Sequence, residues 1–189
     1  MIARHLASKL SAAARQYPVV TVTGPRQSGK TTLVRSVFPK APYVSLEAPD
    51  QRAFAAEDPR GFLGQFAGRV ILDEIQRVPE LFSYVQVLAD EAPRPGRFIL
   101  TGSQNFLLLH NISQTLAGRS AILHLLPFSL AKLNRRPAMA PESLGQLRQN
   151  RKPDAGELLS VLHTGFYPRI HDQKQEASQW LAGYVRTYV

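Results

Sequence analysis

Apolar residues are laid along this chain in two rhythms that alternate. Short unbroken apolar runs rich in β-branched residues appear at 18–23 (PVVTVT), 69–73 (RVILD), 97–101 (RFILT) and 120–125, with a shorter one at 43–46. Such runs read as strands, and consecutive apolar positions, clearest at 69–73, require cover on both faces, as in a parallel sheet between helices. Between the runs the apolar spacing becomes helical: Leu81, Tyr84, Val85 and Leu88 fall on one face of a helix opened by Pro79 and running to about Asp90. Further helices are expected over 29–37, stopped near Pro39, and over 50–56. A third should run from Asp58-Pro59, an N-cap with a first-turn proline, through Phe66. Ile2, Leu6 and Leu10, four apart, give residues 1–17 an amphipathic helix. Repeated strand–helix alternation predicts an α/β fold with a mainly parallel five-stranded sheet, helices on both faces and right-handed crossovers.

The rhythm breaks after residue 132. Pro137, Pro141, Pro153 and Gly145 interrupt it, and Lys132, Arg135, Arg136, Arg148, Arg151 and Lys152 face only Glu142 and Asp154. We expect a core at 1–135, a basic linker at 136–154 with a short helix near Glu142–Gln149, and a helical region at 155–189. That last region contains helices near Ala155–His163 and Lys174–Val189.

Composition narrows the function without choosing it. The 189 residues carry 44% apolar side chains, enough for one domain with a core. No apolar run approaches the ~18 residues of a membrane-spanning helix, and no membrane role is expected. Cysteine is absent, which excludes disulfide and thiolate chemistry and suits a reducing cytoplasm. The net charge of +9 suits a polyanionic partner such as nucleic acid, or is ordinary surface character. Residues 1–18 hold Arg4, Lys9 and Arg15 and no acid, a transit-peptide composition. They run straight into the first strand, which favours a structural helix. The five histidines have no metal-ligand spacing.

The chemistry concentrates in two strings. Gly24-Pro25-Arg26-Gln27-Ser28-Gly29-Lys30-Thr31 matches G-x-x-x-x-G-K-[ST] in full, after a strand and before a helix. Glycines permit a loop whose N–H groups turn inward onto phosphate oxygens, and the helix start adds a positive dipole end. Lys30 supplies a charge to the β- and γ-phosphates, the Thr31 hydroxyl can ligate Mg2+, and Thr32 can reach the α-phosphate. About 40 residues on, Val70-Ile71-Leu72-Asp73-Glu74 ends an apolar strand in two acids, at the carboxyl edge where open α/β sheets bind ligands. Asp73 can hold the magnesium and Glu74 can activate water.

Two weaker signals accompany them. The strand 98–101 ends in Gly102, Ser103 and Gln104, and Ser103 or Gln104 could bond the γ-phosphate or the lytic water, Ser103 being the better placed. Arg119 lies just before a strand and could steady phosphoryl charge in its own chain or in a neighbour's site, or form a surface ion pair.

The strings GPRQSGKTTL, YVSLEAPD, VILDEIQRVPELFSYVQVLAD, FILTGSQNFLLL, ISQTLAGRSAILHLLPFSLAKL, TGFYPRIHD and YVRTYV occur in that order and cover nearly the whole chain. Together they resemble a family of bacterial and archaeal AAA+-type ATPases whose ATPase domain is followed by a second domain of unknown function. The resemblance implies the P-loop fold with the sensor strand between the P-loop strand and the Asp73 strand. It implies Mg-ATP hydrolysis with Lys30, Thr31, Asp73 and Glu74 in the roles above, Ser103 as sensor and Arg119 as arginine finger. Homo-oligomers and a cytoplasmic location are also implied. It makes Gly165–Pro168 the start of a helical lid close to the nucleotide. Because Val189 ends the chain inside an apparent helix, the resemblance also implies an N-terminal piece of a longer protein.

Two other classes remain: a small-molecule kinase, against which Glu74 argues, and a nucleotide- or nucleic-acid-binding module without turnover. A transporter ATPase is excluded by the missing LSGGQ-like loop.

Overall fold

The computed structural model describes residues 4–103, 114–134 and 155–188. The linker expected at 136–154, its short helix and Gln104 lie outside the described residues. The chain divides into two compact units, Arg4–Leu126 and the described part of Pro127–Val189.

In the first unit β1 (Val19–Gly24), β2 (Tyr43–Ser45), β3 (Val70–Asp73), β4 (Phe98–Ser103) and β5 (Ser120–His124) form one sheet in the order β2-β3-β4-β1-β5. Every pairing is parallel, as the unbroken apolar runs predict, and β4 lies between β1 and β3. Alternate strand residues serve two cores. Val19, Val70, Leu72, Phe98 and Leu100 face one, Val20, Val22, Ile71 and Ile99 the other. The first is covered by α3 (Pro49–Glu57), α4 (Pro59–Gly64) and α5 (Leu81–Glu91) through Ala55, Phe62, Leu63, Leu81, Phe82, Val85 and Ala89. The second is covered by α1 (Leu6–Ala13) and α2 (Lys30–Val37) through Leu10, Leu33 and Val34. Each such apolar side chain, fully buried, contributes roughly 1.5–3 kcal/mol against exposure, so the central strands carry much of the unit's stability.

Local signals set the helix ends. The Asp58 carboxylate accepts from the Gly61 amide at 2.8 Å, and Pro59 opens α4, as its sequence predicts. The helix expected from Pro79 begins instead at Leu81, after a tighter turn in which the amides of Leu81 and Phe82 donate to the carbonyls of Val78 and Pro79.

The second unit holds α6 (Leu130–Leu133), α7 (Ala155–Thr164), α8 (Pro168–Gln173) and α9 (Ala177–Tyr188). Residues 165–167 form the turn between α7 and α8, and Pro168 opens α8. The helix expected from Lys174 is displaced, because Lys174 itself is left-handed (φ 51°) and ends α8, a helix the apolar spacing does not reveal. α9 starts at Ala177, where the Glu176 carboxylate accepts from the amides of Ser178 (2.9 Å) and Gln179 (2.6 Å). Tyr167, Trp180 and Tyr184 pack ring on ring, with centroids 4.9–5.2 Å apart. Among the described residues, no helix is long and apolar enough to cross a membrane.

Candidate nucleotide site

The loop from Gly24 to Lys30 joins β1 to α2 at the carboxyl edge of the sheet. Its backbone makes two demands that only glycine meets. At Gly24 (φ 150°) a Cβ would lie 2.2 Å from the Leu125 carbonyl oxygen, and Gly29 precedes α2 with φ 91°. Gln27 is also left-handed, with φ 59°. The turn closes with the Ser28 amide donating to the Pro25 carbonyl at 3.3 Å. Arg4 reaches the outside of the loop, donating to the carbonyls of Ser28 and, at 3.2 Å, Leu126.

Inside the loop, Lys30 is 5% exposed, and its ammonium donates to the carbonyls of Gly24 and Pro25, both at 3.0 Å. Burial lowers its pKa, against the raising effect of the Glu74 and Asp73 carboxylates. Ser28 is wholly buried and its Oγ has no hydrogen-bond partner. A buried hydroxyl without a partner, beside a loop that would reject a Cβ, fits an anion with acceptor oxygens.

The acids reach this loop from β3. Asp73 is 6% exposed, and its Oδ2 accepts from the Thr31 hydroxyl at 2.9 Å and from the Tyr43 hydroxyl at 2.7 Å, while Oδ1 accepts from Thr101. The Thr31–Asp73 contact places the two magnesium candidates side by side, an all-oxygen set that suits a hard cation. Burial, then the Asp73 hydrogen bond and charge, push the Tyr43 phenol up to about 12. Arg35 lies over the same ring, 4.9 Å from its centroid.

Glu74 follows with a left-handed backbone (φ 57°, ψ 45°), which ends the strand and begins a single 3-10 turn, Ile75–Arg77. Ser103 closes β4 directly beside Gly24 in the sheet register. Gln76 joins the two: its Nε2 donates to Glu74 Oε2 and, at 3.1 Å, to Ser103 Oγ. Pro25, Arg26 and Gln27 lie on the rim of the loop, and Thr32 is exposed on α2.

Arg119 is not in this cluster. Its carbonyl accepts from the Val19 amide at the opposite, amino end of β1. Five residues of strand, about 17 Å at 3.3 Å each, separate Val19 from Gly24. Its guanidinium pairs with Asp90 at 2.5 Å in the same chain, the surface pair named as one of its readings.

Three neighbours escape a motif reading. Thr101 is the residue after Leu100, which pairs with Leu72, so the register sets it next to Asp73. A lone threonine in an apolar strand was its available signal. Tyr43 opens β2 and passed as a strand former. Gln76 carries no signal beyond its place two residues after Glu74.

Comparison with known proteins bears on the family and the fold. Residues 16–134 match the model of a family described as an AAA domain. A protein of Mycobacterium tuberculosis strain H37Rv and one of Mycobacterium bovis, both called uncharacterized, are each 40% identical over 123 residues, 65% of this chain. The match spans 28% of each relative's length, so the chain corresponds to little more than a quarter of these curated relatives. Among solved structures, the Walker-type ATPase of Pyrococcus abyssi superposes with a TM-score of 0.55 at 18% identity, covering 89% of this chain and 65% of that one. The AMPPCP-bound DnaA of Aquifex aeolicus also gives 0.55, at 15% identity, with 89% and 57% covered. At these identities the likeness is one of fold.

Proposed function

The chain belongs to the AAA-domain family of P-loop ATPases that its residues 16–134 match, and on that premise we propose that it binds ATP with Mg2+ and hydrolyses it to ADP and phosphate. The observation that carries this reading is the 2.9 Å contact between Thr31 and Asp73. It joins the two sequence strings, 42 residues apart, into one site.

In this reading backbone N–H groups of the loop from Gly24 to Lys30, of which Pro25 has none, cradle the phosphates. Lys30 exchanges the Gly24 and Pro25 carbonyls for phosphate oxygens, a favourable trade for a buried ammonium. Thr31 and Asp73 would hold the magnesium, which would supply positive charge to the phosphate groups. The hydroxyls of Tyr43 and Thr101 donate to the Asp73 carboxylate and fix its orientation. Glu74 accepts a proton from water, and Ser103 orients that water or the γ-phosphate. Thr32 reaches the α-phosphate.

Arg119 lies beside the amino end of β1, too far from the loop at its carboxyl end, so we assign it to a neighbour's nucleotide in a homo-oligomer. The AMPPCP bound in the DnaA neighbour of like fold is a non-hydrolysable ATP analogue, which supports ATP as the ligand. Hydrolysis would be coupled to a partner or to an attached C-terminal domain, in the cytoplasm. The net charge of +9 supports a nucleic acid as partner.

Calorimetric titration with Mg-ATP and Mg-GTP, beside a phosphate-release assay, tests the reading. It predicts saturable ATP binding, weakened when EDTA removes magnesium, and release of free phosphate. Failure of ATP to bind would overturn it. Phosphate appearing on an added acceptor instead of in solution would favour the kinase reading.

A further inference from the structure

Gln76 occupies a position that neither the phosphate loop nor the acidic pair requires. Its side-chain amide reaches two different strand ends, donating to Glu74 Oε2 at the end of β3 and to Ser103 Oγ, 3.1 Å away, at the end of β4. The backbone arranges this. Glu74 is left-handed, and the turn after it is closed by the Arg77 amide donating to the Glu74 carbonyl at 3.0 Å. That fold brings residue 76 back beside residue 74. Ile75 and Val78, both buried in the core over β3, anchor the turn on each side. The amide can face only one way, since an ionised carboxylate accepts and does not donate.

The other end of the same amide is unusual. Gln76 Oε1 is buried and has no hydrogen-bond partner. A buried acceptor without a donor is destabilising and therefore uncommon. A glutamine kept in that condition next to Glu74 is better explained by function than by folding.

We infer that Gln76 is a positioning residue for hydrolysis: its amide sets the Glu74 carboxylate and the Ser103 hydroxyl at a fixed separation, so that water meets a base already aimed. The inference rests on the ATPase reading of this site. It separates two contributions. The hydrogen bonds of Gln76 go to Glu74 and Ser103 and not to the phosphate loop, so it acts on turnover and leaves nucleotide affinity alone. Because it works through both Glu74 and Ser103, its effect shrinks when either is removed.

The test uses the full chain with Gln76→Ala and Gln76→Glu, each alone and with Ser103→Ala. Gln76→Glu keeps the size while replacing the donor by an acceptor beside Glu74. Expected kcat falls are about 10- to 100-fold for Gln76→Ala, the scale on which a misplaced catalytic group acts, and at least as large for Gln76→Glu. The KM and the calorimetric Kd for Mg-ATP should stay within about threefold of wild type. In the Ser103→Ala background, Gln76→Ala should cost clearly less than it does alone. A readout free of turnover is the side-chain amide resonance of Gln76, identified by its loss in Gln76→Ala. It should shift when Mg-AMPPCP binds. Melting curves guard against unfolded variants, and Gln76→Glu serves if Gln76→Ala does not fold. The inference is overturned if kcat stays near wild type, if Kd and KM worsen while kcat does not, or if the two substitutions multiply independently. A wild-type chain that fails to bind ATP would instead defeat the ATPase reading, and Gln76 would then have no base to aim.

Discussion

The two edges of the five-stranded sheet use polar residues in opposite ways. At the amino edge, arginines fasten backbone. Arg69 donates to the Gly96 carbonyl at 2.6 Å, Arg94 to Ala67 and Arg97 to Leu88, both at 3.1 Å, and Arg119 pairs with Asp90. At the carboxyl edge the polar groups fasten one another: Thr31, Tyr43 and Thr101 on Asp73, and Gln76 on Glu74 and Ser103. Two buried side-chain atoms without partners, Ser28 Oγ and Gln76 Oε1, lie there, against Arg97 Nε at the amino edge. So do the left-handed Gln27 and Glu74. A protein tolerates such local costs where a ligand repays them. One edge is built for stability, the other for chemistry.

The difference should break most sharply at Lys30. Lys30→Ala removes the one buried ammonium of the phosphate loop, and Mg-ATP affinity should fall by about 100-fold or more, as expected for a lost charge-assisted contact. Calorimetry checks this. Stability should not fall with it. Burial lowers the Lys30 pKa, so the folded state disfavours its charge, and below 10.5 that cost is present in the wild type. Wild-type stability should therefore rise as pH climbs toward 10.5, and that contribution should vanish in Lys30→Ala, as read by melting curves across pH.

Gly24→Ala tests the cradle itself. Its Cβ would meet the Leu125 carbonyl oxygen at 2.2 Å, a backbone atom that cannot swing aside. A loss of about 2–3 kcal/mol is expected from a steric conflict of this kind, or roughly 5–10 °C in Tm for a chain of this size. The same substitution at Gly64, where nothing lies within 4 Å, should cost far less.

A smaller effect belongs to Tyr43. Its phenol is raised to about 12, so it stays protonated when folded and still donates to Asp73 above pH 10. That contribution is complete below pH 10 and is lost as pH rises through 12. The wild type should lose stability over this range more steeply than Tyr43→Phe, and ultraviolet titration should find one phenol ionising late. At neutral pH, Tyr43→Phe should weaken magnesium-dependent ATP binding by about 3- to 10-fold, the usual net scale for one hydrogen bond.

Arg119→Ala should have the smallest effect on the isolated chain. The pair with Asp90 is exposed, so Tm should stay within about 1 °C. Its consequence should appear only as slower turnover at protein concentrations where chains associate. Equal loss at all dilutions would contradict the assignment to a neighbour.

The sequence made the scaffold readable because parallel strands are buried on both faces and advertise themselves as unbroken apolar runs. The phosphate loop was readable because Gly24 and Gly29 meet backbone demands that no other residue meets. What stayed hidden depends on register. Thr101 and Tyr43 reach Asp73 only once β4 and β2 are aligned on β3, and Gln76 reaches Ser103 only across 27 residues. Arg119 carried the right residue type, yet only the sheet fixes which edge it occupies. Helix α8 was missed because Pro168 and Lys174 bound a segment too short to display a period.

The most direct test of the central claim, that binding and hydrolysis are separately housed in Lys30 and Glu74 of one site, is phosphate release from saturating Mg-ATP by the wild type and Glu74→Gln. Equal nucleotide occupancy with turnover lower by about 100-fold or more in Glu74→Gln is the predicted result. Equal turnover by the two proteins would contradict it.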